Sequence, residues 1–501
     1  MKTAVPVSAP AALDAEQRYR RIAAFTLLGV TLVRLFWLAG NPIDLYPDEA
    51  QYWLWSLHPA LGYFSKPPLT PWIIRATTAA FGADEFGIRI ASPVLHFLTG
   101  LVIFATARRL YDARIACWSA VVYVTLPAVS LSAAIISTDV PLLLCWAMAL
   151  YAFVRAREER VGSAAWRRWW LAVGAAAGFG LLAKYAMAYW LLSALLLVLA
   201  VPGERRQLPG ILGASALAVL VYLPNFWWNW THGFVSYRHT EANANLTGSL
   251  IHPGHFLEFF SSQFGVFGPI LFAALLALVI LRPRRLAEPR ARLLAIFALP
   301  SLAMMLVVSF LSRAHPNWAA PTYVSATILV VAFLAEKGRT LLLAASIGIH
   351  VAAAIFVVEA PAASAALGHP LPARFDLLHR VRGWHTLGRS VGDMLLRRPG
   401  VILLADSRET LAALIYYVRP HPFDAAIWNP GGGVRNGFEM TTDLNRLVGR
   451  DFLFVSESEL PPQVTSRFAA VTAVSHITIP LDPDFARRYF LYDAKGFKGY
   501  R

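Results

Sequence analysis

The chain has 501 residues, of which 57% are hydrophobic and only 15% charged. A soluble domain carries about 25% charge, so this composition excludes one or two water-soluble domains and predicts an integral membrane protein. The formal net charge of +15, together with 16 Trp, 17 Tyr and 30 Phe, fits basic loops on one side of a bilayer and aromatic anchors at both interfaces before it fits nucleic-acid binding.

In chain order, apolar runs of about 17 to 25 residues between charged or Pro-rich breaks predict eleven membrane helices. They fall near 22–40, 88–107, 115–134, 139–155, 169–185, 187–201, 209–228, 257–281, 293–311, 318–335 and 340–358. The first is read as a retained span, because Asp14 and Glu16 precede Arg18, Arg20 and Arg21 and no small-residue cleavage site follows. Arg34 inside it reads as a paired structural arginine. Cys117 and Cys145, the two cysteines, lie within apolar runs, which leaves neither a disulfide framework nor a thiolate metal site. Loops on one side of these spans carry twenty-one Lys and Arg, from Lys2 to Arg339, against six on the other: Lys66, Arg75, Arg89, Lys184, Arg238 and Arg313. The positive-inside rule puts the first set in the cytoplasm, and an odd number of spans sends the C-terminus outside.

The outer loops hold the unusual chemistry. Residues 41–87 contain YPDEAQYW (46–53) and GYFSKPPLTPW (62–72). Adjacent carboxylates beside a span are costly unless they pair or react, so Asp48 and Glu49 are either helix caps after Pro47 or catalytic groups, with Tyr52 one turn on. Lys66 supplies a cation 18 residues after Asp48, near headgroup level where a phosphate would lie. Asp139 closes a short outer turn. Lys184, in LLAKYAMAYW, reads equally as a snorkelling lysine or as a ligand contact. The 229–256 loop contributes Asn229, His232, Arg238 and His239 as candidate binding residues. His252-x-x-His255 invites a zinc reading, but no HExxH or comparable set accompanies it. In SRAHPN and its extension, Asn317 and Trp318 offer a polar contact and a ring that serves either as an interfacial anchor or as a stacking face for a sugar.

After about residue 360 the composition becomes that of a soluble domain. VILLAD (401–406), 452–456, 470–478 and 488–492 are strand-like and RETLAALIYYV (408–418) is helical, which predicts a small α/β domain. The chain therefore divides at this stage into residues 1–359, a transmembrane module that includes the loop 41–87, and residues 360–501, a soluble outer domain. No internal repeat supports a transporter built from recognisable halves.

The set DExxY, GYxxKPP, GxxEFxxR (Gly82, Glu85, Phe86, Arg89) and TDVPL around Asp139 resembles the bacterial membrane glycosyltransferases related to protein O-mannosyltransferase and to the lipid A aminoarabinose transferase. KYA (184–186), PNFWWNWTHGFVSYRH (224–239) and HPNWAAPTY (315–323) are similar to one subgroup of them. The resemblance implies the GT-C fold and an inverting transfer of a sugar from a polyprenyl phosphate donor to a lipid or protein acceptor, in a multi-pass bacterial inner-membrane enzyme opening to the periplasm. It makes Asp48 the general base, Lys66 a phosphate contact and Asp139 a second acid of the same cavity. In the aminoarabinose transferase an Arg stands three residues after the catalytic Asp, where this chain has Gln51, and a Glu stands where this chain has Ser65. The phosphate then needs a second cation, for which Arg238 and His239 are the candidates, and a divalent metal, as in that relative, stays an open alternative. A polyprenyl phosphate or glycolipid carrier, the alternative, would need acidic residues along a membrane path, and the predicted spans are nearly free of them.

Overall fold

A computed structural model describes residues 9–41, 43–244 and 251–500, so Lys2 and residues 245–250 of the 229–256 loop lie outside the described residues. The chain forms two compact units: one from Met1–Gly40, Lys66–Thr70 and Arg89–Ala354, the other from Asn41–Ser65, Pro71–Ile88 and Ile355–Arg501.

The first unit is helical. Among the described residues six helices are long and apolar enough to cross a membrane, or up to seven if a bent pair counts as one. These are Leu13–Gly40, Glu85–Leu110, Asp139–Glu158, Pro202–Thr231, Pro289–Leu311 and Thr340–Ala366, and each contains one of the predicted runs. The other expected spans differ for local reasons. The run at 115–134 stops at Thr125, because Leu126 is extended ahead of Pro127, and leaves a helix of 13 residues. At about 1.5 Å per residue that is near 20 Å, short of a hydrocarbon core of about 30 Å. Tyr185–Ala200 and Thr322–Glu336 are likewise short apolar helices, and Ala164–Ala183 is a helix of 20 residues. The run at 257–281 is bent by 116° between Pro253–Val266 and Pro269–Leu281. The bend falls at Gly268, whose φ of +90 suits glycine.

The Asp139 helix (Asp139–Glu158) is the most enclosed candidate span, 78% buried against 17% to 50% for the other five. Trp146 and Phe153 on it are fully buried, and Phe153 meets Trp170, Trp190 and Phe297 at 5.4 to 6.0 Å in edge or tilted contacts. Arg34 donates to the Val124 carbonyl at 2.7 Å and to Ser130 Oγ at 3.0 Å, a structural pairing as expected.

The second unit contains a five-stranded sheet of order β2-β1-β3-β5-β4. Its strands are β1 (Ile402–Ala405), β2 (Ala426–Ile427), β3 (Phe452–Ser456), β4 (Phe468–Asp482) and β5 (Phe485–Phe497). β1 runs parallel to β2 and β3, and β5 is antiparallel to β3 and β4. Every residue of β1 and β3 is buried, as central strands covered on both faces require. The helix Arg408–Tyr417 follows β1, where helical RETLAALIYYV was expected.

Most of the 41–87 loop belongs with this unit and not with the transmembrane module to which the sequence reading assigned it. The reason is polar and aromatic docking. Asp44 Oδ2 accepts from the Trp384 and His385 amides at 2.7 and 3.2 Å, at the start of the helix Trp384–Leu396. Tyr417 OH accepts from the Leu45 amide at 2.6 Å and donates to Glu85 Oε1 at 3.0 Å, while Tyr416 OH donates to the Ala83 carbonyl at 3.1 Å. Trp53 packs edge-on against Tyr416 at 4.9 Å. Hydropathy along the chain sees only that 41–87 is polar; it carries no record of which partner the polar groups find.

Candidate functional site

Each unit gathers some of the predicted site residues. In the second unit they sit on the loop helix Pro47–Leu57, which starts where Pro at the first position presets φ and Tyr46 is extended. Glu49 turns back to accept from the Tyr46 amide at 2.9 Å and is 1% exposed. That is the capping geometry that stood as the alternative to a catalytic role for Glu49. Asp48 is different. Its side chain is 37% exposed, and Oδ1 lies 2.9 Å from Arg408 Nη1. The same Nη1 donates to Gln51 Oε1 at 2.7 Å. Tyr52 is buried one turn after Asp48, its ring 5.6 Å from that of Trp55.

Arg408 opens its helix three residues past the end of β1, with the Ser407 hydroxyl capping the helix by accepting from the Thr410 amide at 3.4 Å. Loops at the carboxyl ends of parallel strands are where open α/β sheets place ligand-binding groups. Burial alone would lower the basicity of the Arg408 guanidinium, but the charge and hydrogen bond of Asp48, with Glu409 and Tyr52, together outweigh burial and raise it. For Asp44, burial wins over the two amide hydrogen bonds and raises the carboxyl above its ordinary range. The sequence reading missed Arg408, which is some 360 residues from Asp48; the only signal was an Arg at the start of a helix after a strand.

In the first unit, three predicted residues from distant parts of the chain converge. Lys184 Nζ lies 2.7 Å from Asp139 Oδ1, and Asn317 Nδ2 donates to Asp139 Oδ2 at 2.8 Å. Asp139 is 6% exposed in the first turn of its helix, where a carboxylate is favoured by the helix dipole. Lys184 is the residue at which Ala164–Ala183 ends, extended at φ −158 and ψ 136, and this turn aims its ammonium at Asp139. Lys184 thus has a carboxylate partner that its sequence context did not name. Trp318, next to Asn317, is half-buried and meets His315 edge-on at 5.4 Å.

The remaining candidates make separate contacts. Asn229 is fully buried; its amide donates to the Asn225 carbonyl at 3.1 Å and its oxygen accepts from the Ser236 amide at 3.3 Å, so it fastens the turn after its helix. His232 is exposed and stacked on Trp228 at 4.1 Å. Arg238 is exposed on the helix Val235–Ala244, and His239 on the same helix bonds Asn243 at 3.0 Å. Lys66 is half-buried and belongs to the helical unit. The rings of His252 and His255 stack at 5.0 Å, and His255 Nδ1 bonds the Ser312 carbonyl at 2.9 Å. Among the described residues no group of three or more His, Cys, Asp or Glu could hold a metal ion.

Known proteins resemble the chain over these same regions. The family profile of dolichyl-phosphate-mannose-protein mannosyltransferase matches residues 65–228. The lipid A galacturonosyltransferase RgtD of Rhizobium johnstonii is 32% identical over 440 residues, 87% of this chain and 91% of that protein. An undecaprenyl phosphate-alpha-4-amino-4-deoxy-L-arabinose arabinosyl transferase of Pseudomonas aeruginosa is 31% identical over 41% of this chain and 39% of its own length. The crystal structure of ArnT from Cupriavidus metallidurans bound to undecaprenyl phosphate covers 93% of this chain and 97% of that one at a TM-score of 0.60 and 19% identity, a likeness of fold. The apolar helices, the small C-terminal sheet, that fold and a relative matched nearly end to end together identify the chain as a member of the GT-C membrane glycosyltransferases.

Proposed function

We propose that this protein transfers a sugar from a polyprenyl phosphate donor to lipid A, or to a closely related glycolipid, at the periplasmic face of a bacterial inner membrane. The observation that carries this reading is the 32% identity to a lipid A galacturonosyltransferase across 87% of the chain. A hexuronic acid is therefore the first sugar to test. The charge asymmetry of the loops supports a cytoplasmic N-terminus and a periplasmic C-terminal domain.

The chemistry asks for a base at the acceptor hydroxyl and a cation at the departing phosphate. Asp48 is the base: it is on an outer loop, partly exposed, and held by a single carboxylate oxygen. It takes the hydroxyl proton as the acceptor oxygen bonds to the anomeric carbon. The bond from that carbon to the phosphate oxygen breaks, and its electron pair leaves with the polyprenyl phosphate. Such a single displacement inverts the anomeric centre. Lys66, in the KPP motif, is the phosphate cation, and the Asp139–Lys184–Asn317 cluster is a second polar element of the helical unit.

The test uses purified protein in lipid with an undecaprenyl phosphate-linked hexuronic acid and lipid A, with the product read by mass and anomeric configuration. Asp48→Asn is expected to lower turnover about 10² to 10⁴-fold while donor binding persists. Lys66→Met is expected to lower turnover beyond any loss of donor affinity, and Lys66→Arg to keep part of it. Donor passing between leaflets with no new glycosidic bond would replace the reading by that of a carrier, and a retained configuration would remove the single displacement.

A further inference from the structure

We propose that Arg408, carried by the C-terminal α/β domain, is a positioning residue that holds the Asp48 carboxylate for proton transfer. The inference rests on the reading of Asp48 as the base and goes beyond it, because it makes the C-terminal domain part of the catalytic apparatus. One guanidinium nitrogen bridges Asp48 Oδ1 at 2.9 Å and Gln51 Oε1 at 2.7 Å, two residues three apart and so on one face of the loop helix. The planar guanidinium thus fixes the carboxylate against a second anchor. Among the described residues no hydrogen bond is made to Asp48 Oδ2, so the hold on one oxygen leaves the other for a proton.

Arg408 itself is tightly seated. Ser407 caps its helix, the Thr410 hydroxyl donates to Glu457 at 2.6 Å, and Leu411, Ala412, Ala413 and Leu414 behind it are buried at 1% exposure or less. A rigid supporting shell of this kind is what precise placement of a reacting group demands.

The contact is not needed to dock the loop. The far end of the same helix already holds it through Tyr416 to Ala83 and through Tyr417 to Leu45 and Glu85, and Asp44 engages the amides of Trp384 and His385. None of these contacts involves Arg408. Its distinctive effect is on Asp48.

The experiment is a cycle of wild type, Asp48→Asn, Arg408→Met and the double variant, all full-length and in lipid, measuring kcat and donor KM separately. Arg408→Met is expected to lower kcat about 10- to 100-fold with donor KM within about 2-fold, and the double variant to be no slower than Asp48→Asn. Arg408→Lys should recover part of kcat, and millimolar guanidinium should partly restore Arg408→Ala, a rescue that also settles the matter should Arg408→Met fold poorly. Wild-type kcat in Arg408→Met, or losses that multiply in the double variant, overturns the positioning role while leaving Asp48 as the base. Wild-type activity in Asp48→Asn overturns the base assignment and this inference with it.

Discussion

The Lys184–Asp139 pair, closed by Asn317, is a unit whose members cannot be judged one at a time. Both carboxylate oxygens of Asp139 are engaged, and the two side chains are 20% and 9% exposed. Removing either partner strands a charge in a poorly solvated place, whereas removing both strands none. Lys184→Met and Asp139→Asn are each expected to destabilise the protein, and the double variant by less than their sum, with a coupling of about 1–3 kcal/mol in a denaturation series. Additive losses would mean that the pair exists without energetic consequence. The residue types at this site were visible in the sequence because intramembrane or interfacial charges stand out against apolar runs. Their pairing was not, because Lys184 and Asp139 are 45 positions apart and Asn317 lies a further 178 from Asp139.

At the level of elements, the helix Ala164–Ala183 meets Leu208–Thr231 through Gly174 and Gly178, one turn apart. A Cβ at Gly178 would lie 2.5 Å from Val221 Cβ, and one at Gly174 would lie 2.8 Å from the Ala214 carbonyl oxygen. Small residues four apart let helix backbones approach closely in a membrane, where packing and not water exclusion drives association. Gly178→Val is expected to lower stability by about 1–3 kcal/mol through overpacking. Gly29→Val, at a position with nothing within 4 Å, is the matched control and should be close to neutral. Equal melting behaviour of the two variants would refute close packing at Gly178. Elements themselves were readable where an apolar run was long and unbroken, as at 139–155 and 340–358. Breaks inside a run, as at Pro127 and Gly268, were not readable, since hydropathy averages across a break that backbone geometry does not.

On the scale of the whole molecule, orientation follows from charge. Twenty-one cationic loop residues against six predict a cytoplasmic N-terminus, and an odd number of spans then predicts a C-terminal domain on the opposite side. A reporter fused after residue 370 is expected to be active in the periplasm and silent in the cytoplasm. Cytoplasmic activity would invert the assignment of the 41–87 loop and remove Asp48 from the face where the donor is expected. The same loop groups with the C-terminal domain, a grouping that composition alone could not suggest.

The sequence by itself determined the membrane class, the small α/β domain near the C-terminus and the family, because hydropathy, strand alternation and short motifs such as YPDEAQYW and KPP are local and survive without knowledge of neighbours. It singled out Asp48, Lys66, Asp139 and Lys184 for the same reason: a charge beside an apolar run needs an explanation wherever it occurs. Only the tertiary structure decided that Glu49 caps its helix while Asp48 stays partly exposed, that Asn229 fastens a turn, and that Lys184 pairs with Asp139. It alone brought Arg408 to Asp48 across 360 residues. Hydrogen bonds and ion pairs act within about 3–4 Å in space, and the order of residues along a chain does not record which distant groups will come that close.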